Sequence, residues 1–295
     1  MVLPVVPEPM NILDLGEIDA PVLIFGGPYS NLQATEALLH QAEVLNIPPA
    51  RIICTGDVVA YCADPVETTR LVQDAGIHVV QGNCEISFAE NANDCGCGFA
   101  EGSTCDRLSA QWFDYARQLL SPEAARWMKT LPGQIHFEIA NRKLAVVHGA
   151  PSAVNRFVFP STPMADKLDE IALTGCEGVI SGHSGLPFSQ NIGGYLWHNA
   201  GVIGLPANDG TTRTWFSLLT PESDGLHIDH LPLNYDFEGA CKDMARAGLA
   251  DEYARTLTTG LWDNCDILPA EETGQQGIPL AFEPFTWRHI QQAAE

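Results

Sequence analysis

Residues 51–85 read RIICTGDVVAYCADPVETTRLVQDAGIHVVQGNCE, and this stretch decides the fold class. Arg51 to Thr55 is a short apolar run bounded by a glycine, as a buried strand requires. Asp64 has the character of an N-cap, Pro65 suits the first helical position, and Gly76 supplies a stop. Ile77 to Val80 is a second strand. Strand, helix and strand in that order predict parallel strands joined by a helical crossover. In such sheets ligands bind where loops leave the carboxyl ends of the strands. Asp57 and Asn83 both stand just past such an end.

Upstream, Pro21 to Phe25 (PVLIF) is another buried strand, followed by the turn GGPYS. Asn31 to Leu45 then carries Leu32, Leu38, Leu39, Ala42 and Leu45 at helical spacing. Gly27 to Tyr29 therefore joins the residues at strand ends. Downstream, residues 88–106 (FAENANDCGCGFAEGSTCD) form a polar, Gly-rich and Cys-rich interruption. Two helices follow, the second opening at Ser121 with Pro122 behind it. Strands are expected at Gln134–Ile139, Leu144–Val147 and Val179–Ser181. Those at Arg213–Leu219 and Leu226–Leu231 are expected to form a second sheet. Helices at Phe237–Ala247 and Asp251–Thr258 close a single domain over residues 21–262, between an arm (1–20) and a tail (263–295).

Composition narrows the function. The 295 residues carry 37 acidic and 15 basic side chains, a formal charge of −22. Polynucleotide binding gains its affinity from Lys and Arg on phosphates, so no nucleic-acid partner is expected. No run approaches the ~20 apolar residues of a membrane helix, so no membrane partner is expected either. The beginning, MVLPVVPEPMNILDLGEIDA, lacks the basic start and apolar core of a secretory signal. A cytoplasmic location is the corresponding expectation. Nine cysteines are an odd count for a disulfide framework. Five (Cys54, Cys62, Cys176, Cys241, Cys265) are scattered and read as small core residues. Cys84, Cys95, Cys97 and Cys105 are bunched.

Five blocks, GGPYSN, TGDVVAY, QGNCE, VVHGAP and SGHSG, recur in the order and spacing of the metal-ligand blocks of calcineurin-like metallophosphoesterases. The resemblance spans roughly residues 21–262. It implies an α/β fold, a four-layer αββα sandwich of two mixed β-sheets flanked by helices. It also implies a metal-dependent hydrolase of a phosphate ester, acting on a small phosphorylated molecule. In the register of that family Asp57 bridges two metals, and Asn83, His148 and His183 complete the second metal's ligands. One carboxylate, two imidazoles and an amide oxygen suit Zn, Mn or Fe, one or two ions in all. Asp57, Asn83, Cys84 and His148 are the catalytic candidates, with water activated by coordination as the nucleophile.

The same register shows departures. The first metal's ligand positions hold Gly27, Tyr29 and Gly185, which cannot build an ordinary site. Cys84 stands where the family has a histidine, and a thiol beside a metal tends towards thiolate. Tyr29 reads either as a phenolate ligand or as a half-buried tyrosine in a turn. Cys84, Cys95, Cys97 and Cys105 read either as a sulfur-based metal site or as free thiols on a surface loop. His198, expected in a loop near the metals, reads either as a replacement imidazole or as packing beside Trp197. These departures keep open a non-hydrolytic metalloprotein of the same fold, given to redox or sulfur chemistry or to metal binding and sensing.

Overall fold

The computed structural model describes residues 11–288. Its strands in chain order are β1 (Ile12–Ile18), β2 (Val22–Phe25), β3 (Ile52–Cys54), β4 (His78–Val79), β5 (Gln134–Ile139) and β6 (Arg142–Val146). Then come β7 (Gly178–Ser181), β8 (Phe188–Ile192), β9 (Tyr195–Asn199), β10 (Thr214–Glu222), β11 (Gly225–Leu233) and β12 (Phe285–Arg288). They form two six-stranded sheets, one ordered β1-β5-β6-β7-β9-β8 and the other β12-β11-β10-β2-β3-β4. Both are mixed. In the second, β2, β3 and β4 run parallel, whereas β10 and β2 are antiparallel.

Alternation along β2 shows how the layers are built. Val22 and Ile24 face the other sheet, joining Ile135, Phe137, Val146 and Ile180 in an apolar layer between the sheets. Leu23 and Phe25 point outward and pack with Leu38 and Ala42 of the helix Leu32–Val44 and Val72 of the helix Pro65–Ala75. Successive strand side chains point to opposite faces, so a strand buried on both sides reads as a continuous apolar run. On the far face of the other sheet, Ile171 of the helix Met164–Thr174 packs with Val179 and Trp197. Each such side chain, fully buried, contributes on the order of 1.5–3 kcal/mol. The result is the four-layer sandwich of two mixed sheets flanked by helices.

Local signals hold at several ends. Gly76 closes its helix at φ 64°, and the hydroxyl of Ser121 accepts from the Ala124 N–H in front of the helix Pro122–Thr130. Three expectations are corrected. The β10–β11 hairpin is not a sheet of its own, because β10 pairs with β2 and extends the first-half sheet. Residues 12–18, expected in an arm, form an edge strand parallel to β5. Residues 285–288, expected in a tail, pair with β11. Short edge strands lack the dense apolar run that marks a central one, and β1 (ILDLGEI) is largely exposed. Among the described residues, no helix is long and apolar enough to cross a membrane.

Candidate metal centre

The two sheets meet at a cluster of four side chains. Asp57 follows β3 and Asn83 follows β4, at the start of a short helix (Asn83–Ala89), both on one sheet. His148 follows β6 and His183 follows β7 on the other. All four are buried. Among the described residues, the one group of three His, Cys, Asp or Glu donors close enough to share a metal is Asp57, His148 and His183.

Nε2 of His148 is the hub. It lies 2.9 Å from His183 Nδ1, 3.0 Å from Asn83 Oδ1 and 3.2 Å from Asp57 Oδ2. The other ring nitrogen, Nδ1, is 2.7 Å from the carbonyl oxygen of Thr55, which can only accept, so Nδ1 carries a hydrogen. In the neutral ring Nε2 is then a lone pair facing two further lone pairs, on Asp57 Oδ2 and Asn83 Oδ1, beside the His183 nitrogen. Protonating His148 would supply one hydrogen, enough for one of the two oxygens. A cation at the centre satisfies all four donors together. The three distances from Nε2 are close to the roughly 3.3 Å edge of a tetrahedron with metal–ligand bonds of about 2.0–2.1 Å. The residues present therefore fit a transition-metal ion.

Electrostatics keep Asp57 and His183 in the forms a cation would need. Burial resists ionisation of Asp57, but His148 and His183 outweigh it and hold the carboxyl below its usual range. Burial and then His148 push His183 down to about 3, leaving a neutral imidazole ready to coordinate. For His148 burial works against the charged form, and the Asp57 carboxylate beside it overcomes burial and raises the pKa.

A second layer aims the donors. Asp57 sits in the left-handed region at φ 56°, a strained backbone of the kind that clusters at functional sites. Glu85 holds it there: its carboxylate accepts from the N–H groups of Asp57, Val58 and Gly82, each at 2.8 Å. Burial and the charge of Asp57 push Glu85 up to about 7 against the pull of those donors. The Cys84 N–H donates to Asp57 Oδ1 at 3.1 Å. The Asn83 amide nitrogen donates to the Cys95 carbonyl at 2.9 Å, which turns its oxygen toward His148.

The remaining candidates divide. Cys95 and Cys97 are joined in a disulfide, so these two are not available as thiolate ligands. Cys105 lies apart from them, its thiol 3.2 Å from Asn264 Oδ1. The sulfur-only metal site is therefore not assembled. Cys84 remains beside the centre, 3.5 Å from the Asn83 amide nitrogen. Burial and then Asp57 and Glu85 push its thiol well above the ordinary value, so the surroundings favour thiol over thiolate. His198 is not in a loop near the metal ligands. It belongs to β9, fully buried, with Nδ1 2.9 Å from the Ser189 hydroxyl and its ring against His230.

Tyr29 is at the centre's edge, lining a cavity of about 80 Å³ together with Asp57 and His183. Its ring covers Gly27: a Cβ placed on residue 27 would fall inside the phenol's own van der Waals envelope. Burial and then Asp57 push the phenol well above its ordinary pKa, so the protein surroundings favour the neutral form. Gly185, at φ 72°, leaves open space in which Trp262 Cζ2 comes within 3.8 Å of the missing Cβ. Sequence reasoning assigned Trp262 no role. Its signal was its place beyond the last predicted helix, where nothing in the spacing ties it to residue 185.

A protein of Methanocaldococcus jannaschii of uncharacterised function is 23% identical over 260 residues, 82% of this chain and 99% of its own length. The crystal structure of a hypothetical protein from Pyrococcus horikoshii superposes with a TM-score of 0.70 at 18% identity, covering 82% of this chain and 99% of that one. That of a metallophosphoesterase from Sphaerobacter thermophilus gives 0.65 at 19% identity, covering 83% and 100%. These likenesses fix the fold. The sequence model of the calcineurin-like phosphoesterase superfamily domain matches residues 29–223, most of the chain and all four donors, and the protein belongs to that superfamily.

Proposed function

We propose that this chain is a metal-dependent hydrolase of phosphate esters with a single resident ion, held by Asp57, Asn83, His148 and His183. One observation carries the reading: three electronegative atoms crowd within 3.2 Å of His148 Nε2, while the ring's hydrogen is committed at Nδ1. A divalent ion there supplies neutralisation of phosphoryl charge and activation of water at neutral pH. The chain's own residues do the rest. Asp57 faces both this centre and the cavity in which an ester would lie. Thr55 fixes the tautomer of His148, and Glu85 with the Cys84 N–H fixes Asp57. Tyr29 and Gly185 occupy the family's first-metal positions without providing a carboxylate or an imidazole, which supports one ion rather than two. Zn, Mn and Fe each suit this donor set.

A second reading, a redox or sulfur-based metalloprotein, draws on the Cys95–Cys97 disulfide and Cys84 gathered around Asn83. One experiment separates the two. Protein purified without chelators is analysed for metal and assayed on p-nitrophenyl phosphate and bis(p-nitrophenyl) phosphate. About one ion per chain and turnover that disappears in His183→Ala support the hydrolase. Bound metal without turnover of either ester, together with a thiolate–metal absorption band, supports the second reading.

A further inference from the structure

The cavity beside the metal centre has an unusual wall for a phosphate-handling protein. On one side Tyr29 meets Tyr61 edge-on at 4.8 Å, and Tyr61 leans on Tyr253 at 4.7 Å. On the other, Phe157 stacks on the His183 imidazole at 4.2 Å and 30°. Trp262 closes the far side above Gly185, with its indole N–H held by the Pro206 carbonyl at 2.8 Å. All five aromatic residues line the same cavity, which opens onto Asp57 and His183.

Charge is the second observation. Among the described residues lining this cavity there is no Lys or Arg, while Asp57 and Asp263 contribute carboxylates. Asp263 holds Arg255 at 3.1 Å. A phosphate monoester carries close to two negative charges at pH 7 and is ordinarily met by Arg or Lys. A divalent ion on Asp57 leaves one net positive charge, which a phosphodiester's single negative charge balances. The wall rings already pack on one another and on His183, and aromatic surfaces of this kind take a further ring by edge or face contact.

We infer that the cavity is a ring-binding subsite and that the substrate is a phosphodiester carrying an aromatic group, seated between the Tyr29–Tyr61 wall and Phe157 with Trp262 as its cover. This rests on the phosphoesterase reading and narrows it to diesters over monoesters. A nucleobase and a simple aryl group share the required chemistry.

The test uses the full-length chain loaded with Mn²⁺ and calorimetric titration. The probes are diphenyl phosphate, dimethyl phosphate, phenyl phosphate and 2′,3′-cyclic AMP. Diphenyl phosphate or the cyclic nucleotide should bind at least tenfold (about 1.4 kcal/mol) more tightly than phenyl phosphate and dimethyl phosphate. Whichever of the two binds better tells an aryl from a nucleobase source. Trp262→Leu and Phe157→Leu should each weaken that binding about tenfold. Phenyl phosphate binding as tightly as the diesters, no binding of either aromatic diester, or affinities unmoved in both variants would overturn the inference. Turnover of bis(p-nitrophenyl) phosphate is followed separately. Ring-selective binding without turnover overturns the hydrolase and leaves the subsite, whereas turnover without ring selectivity does the reverse.

Discussion

The ring of Tyr29 lies over Gly27 in the space that a side chain on residue 27 would fill. The two positions are thus one unit: the aromatic ring is accommodated because its neighbour has no Cβ, and residue 27 also sits at φ 36°. Gly27→Ala should destabilise the fold by about 1–3 kcal/mol, from overpacking and backbone strain together. The cost should shrink in a Tyr29→Ala background, where the ring is gone. Chemical denaturation of the four proteins in the cycle measures this coupling. Additive effects would mean the two residues are independent.

Metal content should be close to one equivalent per chain. His183→Ala and Asp57→Asn should each weaken metal affinity by more than about 100-fold, since removing even an outer partner of a ligand costs 10–100-fold. Competition with a chromophoric chelator reads this directly. Two equivalents in the wild type would show that a further ion binds at the Tyr29 edge.

Glu85 is not one of the four donors, yet its carboxylate fixes the backbone of Asp57. Glu85→Gln keeps the shape but turns one acceptor oxygen into an N–H facing backbone N–H groups. Stability should fall by about 1–3 kcal/mol, with metal affinity down 10–100-fold. Glu85→Asp, which keeps the charge but shortens the reach, should recover part of the stability. An unchanged affinity would sever the link between the three N–H bonds and the aim of Asp57.

The four donors were legible through the likeness of their blocks to the family's, and Asp57 and Asn83 also because each stands just past a strand end, where ligands of a parallel sheet bind. The strands were legible for the same reason that β2 packs on both faces: a doubly buried strand has no polar positions. Strand β1 alternates weakly on an exposed edge, and β12 lies far from its partner in sequence. Their pairing is decided by tertiary contacts that no local pattern records. The aromatic cavity was illegible because its walls come from five separate segments. The disulfide was hidden in a Cys-x-Cys spacing that equally suits metal ligation. His198 was misplaced because the β8–β9 hairpin went unrecognised, which turned a strand residue into a loop residue.

Strand β9 supplies a pH prediction. His198 and His230 lie ring to ring, 5.0 Å between centroids, bridged by the Ser189 hydroxyl, with Ser217 and Phe282 also against His230. Burial pushes His230 down to about 4, so the folded protein keeps it neutral. Its contribution is fully present above the unfolded value near 6.5 and is lost as pH falls from there towards 4. The loss should reach at most about 3 kcal/mol. Urea unfolding of wild type and His230→Asn at pH 7, 6, 5 and 4 should show a steeper acid decline in the wild type. Parallel curves would count against a buried neutral His230.

The donor set also constrains when the centre can exist. Two donors belong to one sheet and two to the other, and the apolar layer between the sheets must close before the four atoms meet. Neither sheet alone offers more than half a site. During synthesis Asp57 and Asn83 emerge long before His148 and His183, so an ion meeting the early chain finds no completed cage to retain it. Loading therefore reports that both sheets have docked. A metal held there would act as a late clasp between the two sheets, and a chain that stalls before residue 183 would be left without one.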